Sequence, residues 1–271
     1  MSNSDRCVSL TFDDALDVHL DRAIPALDSR GFRGTFFVTL AAPSFAARLD
    51  EWRRAAARGH ELGNHTILHP AWRWKRYVTE GNAIETYSLD RMRMELAAAN
   101  RILEGLDGQK ARTFAYPCAN PVLGRPGLPK RLLRACALDR TRLMGWLHRY
   151  PALDILSTER SYASVVDDLF VAARIGGERF SAGTELPPTR SAVPCVSLDG
   201  RSRGDIGSVL DAFLACERGW LVFVAHGVGG GHALSVDADV FQWLLDALHE
   251  RSVSVRTFRE GALALWGSDH G

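Results

Sequence analysis

The feature that most constrains this chain is an alternation. Short apolar runs, too brief for helices, are separated by stretches of helical period almost from end to end. Cys7–Phe12, Gly34–Leu40, His60–Asn64, Thr113–Tyr116, Leu169–Ile175, Trp220–Ala225 and Val253–Phe258 read as strands by their β-branched and aromatic content. His19–Arg30 and Arg48–Arg58 read as helices, each followed by a glycine, Gly31 and Gly59. Ser88–Glu104 opens on a capping serine and keeps Leu89, Met92, Leu96, Ala99 and Leu103 on one face. Ile206–Cys216 and Asp237–Glu250 are further helices, and a short one follows the last strand. Strands joined through helices run parallel, because a hairpin turn cannot connect parallel neighbours. The pattern predicts a barrel-like α/β fold of about seven parallel strands, one domain over residues 1–271. Chemistry is then expected on loops after the strands' C-terminal ends. Arg140–Asp167 and Gly176–Asp205, the latter with Pro187, Pro188 and Pro194, read as long loops.

Composition narrows the function classes. Thirty-three basic against 32 acidic residues leave a charge of +1, which gives nucleic acid or an anionic membrane no electrostatic hold. Only Lys75, Lys110 and Lys130 are lysines; the other basic residues are arginines. No apolar run approaches the ~20 residues of a spanning helix. The polar start MSNSDRC shows no signal-peptide core, so a cytoplasmic location is the expectation. Five scattered cysteines without a CxxC pair indicate neither a disulfide framework nor a thiolate zinc site.

Three segments carry candidate chemistry, each at a predicted strand end. Asp13 and Asp14 follow the first strand. They read either as a solvated helix-capping pair or as two carboxylates turned into one pocket, where a cation would relieve their repulsion. His65 and His69 stand four apart, a spacing that lets two imidazoles share a metal. His226 closes the Trp220–Ala225 strand and opens a glycine-rich loop; it reads either as a core histidine or as an acid–base group. Together one Asp and two His suit an open metal site, with a second Asp to take a proton and a separate His to give one.

These segments, in this order, resemble the polysaccharide deacetylase family (carbohydrate esterase family 4, the NodB-homology fold), which implies a distorted (β/α) barrel of about seven parallel strands. Thr11-Phe12-Asp13-Asp14 resembles its first motif, His60 through His69 its second, and Phe223 to His226 its last. The resemblance implies one divalent metal, Zn2+ foremost with Co2+ or Ni2+ as alternatives, on Asp14, His65 and His69. It implies Asp13 as general base, His226 as general acid, and an acetylated oligo- or polysaccharide as substrate. The family's third motif has an arginine before its proline. Here Ala115-Tyr116-Pro117-Cys118 puts alanine in that place, leaving Tyr116, Pro117 and Cys118 as substrate-side candidates and a main-chain group at Cys118 as oxyanion donor. Arg112 is displaced by three residues, and Arg174 is the substitute proposed to orient Asp13. The Asp-x-x-Asp-Trp element that positions the acid histidine is absent; Asp199 and Asp205 lie near its place, and His232 is a further candidate. Trp72 and Trp74 read as walls of a sugar cleft or as core. Two other functions stay open: an allantoinase-like hydrolase of a nitrogen heterocycle, and a non-catalytic carbohydrate-binding relative.

Overall fold

Successive side chains of a strand point to opposite faces, and the first strand obeys this throughout. In β1 (Arg6–Asp13), Val8, Leu10 and Phe12 point outward into a core with Leu27, Phe36, Trp52 and Phe241. Cys7 points inward, to a separate core with Phe37, Ala115, Val222 and Val224. Two faces that are both buried mean helices outside and a filled barrel inside. The computed structural model describes residues 6–136, 138, 141–177, 180–182 and 189–267. Residues 1–5 and the expected loop prolines Pro187 and Pro188 lie outside them.

The remaining strands of the main sheet are β2 (Thr35–Val38), β3 (Glu61–Asn64), β4 (Thr113–Ala115), β5 (Ala172–Arg174), β6 (Ser181–Ala182), β7 (Val196–Ser197) and β8 (Gly219–Ala225). Their order is β5-β4-β3-β2-β1-β8-β6, with β7 also on β8. Every pairing in this sheet is parallel except that of β6, which runs antiparallel to the start of β8. Val193 bridges Arg174 of β5, and three residues later β7 pairs Phe223 and Val224 of β8. One short run therefore joins the two ends of the sheet and closes a distorted barrel of seven parallel strands.

Three expectations need correction. Val253–Phe258 does not form a strand; only Val255 bridges Val8. The reason is the capping box of Thr257 and Glu260, which turns the chain at once into the helix Phe258–Trp266. Phe258 and Ala262 of that helix fill the barrel floor against Trp220. The stretch Arg140–Asp167 is not a loop, since it holds helices Arg142–Arg149 and Ala163–Leu169. Gly176–Asp205 contains the closing strand β7, too short at two residues to show a period. Among the described residues no helix is long and apolar enough to cross a membrane.

Candidate active site and metal centre

Strand parity carries four candidates to one rim. Asp13 ends β1 and Arg174 ends β5, while His65 follows β3 and His226 follows β8. Each lies an even number of residues from an inward-facing neighbour: Cys7, Ala172, Gly63 and Val224. All four line a cavity of about 790 Å³ at the strands' C-terminal ends, with Asp14, His69, Lys75, Tyr77, Cys118, Asp199 and His232.

Asp14 reaches this cavity because the chain leaves the strand abruptly. Its φ is 77°, that of Ala15 is 52°, and the Asp14 N–H donates to Phe37 O at 3.1 Å. Left-handed backbone at two non-glycine residues is uncommon, and it swings Asp14 to the same side as Asp13. The Asp14 carboxylate lies 3.6 Å from His65 Nε2 and 3.4 Å from His69 Nε2, with all three ligand atoms within 4.8 Å of one another. Ligands about 2.1 Å from a tetrahedral ion stand about 3.4 Å apart, so the set fits a divalent metal. His65 Nδ1 donates to Ala115 O at 2.8 Å, which leaves the Nε2 lone pair facing the carboxylate. Burial, opposed by Asp13, pushes both imidazoles down to about 4 and keeps those lone pairs free at neutral pH.

The loop between the two histidines is held from three sides. Thr66 and His69 adopt φ of 71° and 49°. Asn64 Oδ1 accepts from Thr66 N–H, and Thr66 Oγ1 accepts from His69 N–H. Glu95, on the helix Leu89–Asp107, accepts from the N–H groups of Ile67 and Leu68 and from the Tyr87 hydroxyl. Sequence reasoning missed Glu95. Its signal was a carboxylate on the apolar stripe, three residues after Met92 and beside Leu96.

Asp13 is buried and takes both its contacts from one guanidinium nitrogen of Arg174, at 2.5 Å to each oxygen. Burial pushes this carboxyl up, but Arg174, and after it His65 and His226, outweigh that and hold it at about 2. Arg174 also lies over the Phe37 ring and donates to Cys195 Sγ. Arg112 is an odd number of residues from inward-facing Ala115 and turns away, to pair with Asp107 and the Leu62 carbonyl.

His226 is fixed by Asp199, whose carboxylate accepts from the His226 N–H at 3.0 Å and lies 2.7 Å from Nδ1. Burial disfavours charge on this imidazole, but Asp199 and then Asp13 reverse the balance and raise its pKa. Asp205 instead caps the helix Arg203–Leu214 through Ser202. His232 stacks on His226 at 5.2 Å. Buried His19, which accepts from Leu16 N–H at Nδ1, donates through Nε2 to His226 O at 2.7 Å.

The substrate-side candidates separate. Cys118 lines the cavity on a left-handed turn of φ 53°, its thiol 3.0 Å from the Tyr77 hydroxyl. Tyr116 touches the cavity, yet its ring packs outward against Phe114 and Tyr162. Pro117 is buried in the turn and does not line the cavity. Trp72 does not line it either. It is buried in the outer core with Tyr87 and Met92, and Trp74 stacks on it under Arg134. The cavity's aromatic wall is Tyr77, over His69.

Residues 1–121 match the family model described as polysaccharide deacetylase. A gellan lyase from Bacillus sp is 30% identical over 109 residues, 40% of this chain but only 4% of the lyase, so the chain spans a small part of that relative's length. Among solved structures, a CE4-family pseudoenzyme from Bacillus anthracis superposes with a TM-score of 0.55 at 15% identity, covering 96% of this chain and 66% of that one. The peptidoglycan deacetylase PdaC from Bacillus subtilis gives 0.51 at 13% identity, covering 98% and 95%. At these identities the structural likeness is one of fold. The amino-terminal match and the shared barrel make this chain similar to the polysaccharide deacetylase family, with a fold of NodB-homology type.

Proposed function

We propose that the chain is a metal-dependent hydrolase that removes acetyl groups from an acetylated carbohydrate, as N-acetyl amide or O-acetyl ester. The observation that carries this reading is the convergence of Asp13, Asp14, His65, His69 and His226 on one cavity. Asp14, His65 and His69 would hold the ion, Zn2+ foremost with Co2+ or Ni2+ as alternatives. When bound, it supplies Lewis-acid chemistry that polarises oxygen and makes water acidic near neutral pH.

The chain's own groups move the protons. Asp13 stays ionised and is aimed by Arg174, so it accepts a proton from the attacking water. The Cys118 main-chain N–H is the donor proposed for the oxyanion that forms on the acetyl carbonyl. His226, whose protonated form Asp199 favours, gives its proton to the departing nitrogen or oxygen. The two environments push a carboxyl down and an imidazole up, which is how one cavity separates a base from an acid.

The fold also hosts a pseudoenzyme, so turnover is the deciding measurement. Acetate release is followed from acetylxylan and from chitin oligosaccharides, with added zinc, cobalt or nickel and again with chelator. Chelator-sensitive release is expected. Asp13→Asn should keep the metal and lose most turnover; a fully active Asp13→Asn overturns the base assignment. No acetate under any metal, with ureide formed from allantoin, overturns the deacetylase reading in favour of the heterocycle. Glycan binding without turnover favours the non-catalytic relative.

A further inference from the structure

The deacetylation chemistry accounts for every carboxylate on the cavity wall. Asp13 is engaged by Arg174, Asp199 by His226, and Asp14 stands between two imidazoles. Two more cations line the same cavity, Lys75 and Arg201, and neither has a part in that chemistry. Arg201 comes from the turn that carries Asp199, on the His226 side. Lys75 lies six residues beyond His69, in the turn closed by its own N–H to Trp72 O and by Val78 N–H to Lys75 O.

Lys75 is the informative one. It is half-buried, and no carboxylate stands within ion-pair distance of its ammonium among the described residues. Lys130 shows the contrast: it is buried, and Glu159 meets its Nζ at 2.6 Å with Asp154 at 3.6 Å. An ammonium drawn partly out of water without a counter-charge is costly, and an anion placed beside it returns that cost as a charge-assisted hydrogen bond. A neutral sugar needs no such group, because hydroxyl partners such as Thr39, Tyr77 and Ser197 already line the wall.

We propose that the natural substrate of this cavity is an anionic acetylated sugar, whose carboxylate or phosphate is bound by Lys75 with Arg201 as the second cation. The proposal rests on the deacetylase reading above and names its substrate class. A lysine ammonium is a point charge without the fixed fork of an arginine, so it accepts either anion, and the experiment separates them.

Three matched probes are used with the metal-loaded full chain: N-acetylglucosamine, N-acetylglucosamine 6-phosphate and N-acetylmuramic acid. They are neutral, phosphorylated and carboxylated forms of one sugar. At least one anionic probe should exceed the neutral one by about tenfold or more in kcat/KM, chiefly through KM. Added salt should narrow that ratio. Lys75→Gln should reduce the ratio about tenfold, and Lys75→Arg should restore part of it. Equal handling of all three probes by the wild type overturns the proposal and leaves the deacetylase reading standing. So does a ratio untouched by Lys75→Gln. If no probe releases acetate, calorimetric binding of the same three sugars decides. Tighter, Lys75-dependent binding of an anionic member upholds the anion site, and equal affinities or none overturn it; the hydrolase reading is decided separately, by acetate release from acetylxylan and chitin oligosaccharides.

Discussion

Glu95 offers the most direct test of the proposed metal centre. Its carboxylate holds the middle of the loop between His65 and His69, accepting from Ile67 N–H at 3.1 Å, Leu68 N–H at 3.0 Å and the Tyr87 hydroxyl at 2.8 Å. The loop it restrains has left-handed φ at both Thr66 and His69, a conformation that relaxes when it is not held. A hydrogen bond to a charged group contributes about 1.5–3 kcal/mol. Three of them amount to roughly 4.5–9 kcal/mol before water and neighbouring groups recover the larger part. Glu95→Ala should therefore lower the stability of the metal-free chain by about 2–4 kcal/mol. It should also weaken zinc binding by about 10–100-fold, the usual effect of removing a group that orients ligands. Glu95→Gln keeps one acceptor oxygen and should fall between the two. Competition against a fluorescent chelator measures the affinity, and urea melts of metal-free protein measure the stability. A folded Glu95→Ala chain that binds zinc within about twofold of wild type would refute the reasoning, because the loop would then hold its ligand geometry without this anchor.

Three further outcomes follow from the same geometry. Arg174→Met leaves the buried Asp13 carboxylate without its guanidinium and should cost about 3–5 kcal/mol in urea melts at neutral pH. In the wild type, the stability that comes from Asp13's lowered pKa is present above its ordinary value near 4 and is lost as pH falls towards about 2, so the gap between the two proteins should narrow across that window. Asp199→Asn removes the main support of His226's raised pKa, so the alkaline limb of the kcat/KM profile, where His226 loses its proton, should move to lower pH. An unmoved limb would mean that another group supplies the proton. Gly63→Ala would drive a Cβ into the Phe37 ring, an overpacking expected to cost about 1–3 kcal/mol by thermal or urea melts.

What was legible in the sequence followed from parity. Asp13, His65 and His226 each close or follow a recognisable apolar run, and a period of two decides which face they take. That suffices to predict one rim, and to see that Arg112, an odd step from Ala115, turns away from it. What was not legible depends on pairings too short to leave a pattern. The strand Val196–Ser197 closes the barrel with two residues and brings Asp199 to His226, yet nothing in its composition separates it from the loop around it. Trp72 and Trp74 invite a sugar-stacking reading, but stacking on each other under Arg134 meets the same physical demand. The altered third motif shows why spatial neighbours matter more than sequence position. By the resemblance, Ala115 stands where an arginine is expected, and in the parallel ladder Ala115 pairs directly with Arg174 of β5. The guanidinium that meets Asp13 is therefore delivered by the neighbouring strand. The small Ala115 side chain leaves room at the inner wall, and Arg174 crosses the Phe37 ring to reach Asp13. A carboxylate at this depth needs a cation, but the barrel does not dictate which strand delivers it. The demand is thus readable from Asp13 alone, whereas the supplier is readable only once the register of β4 and β5 is known.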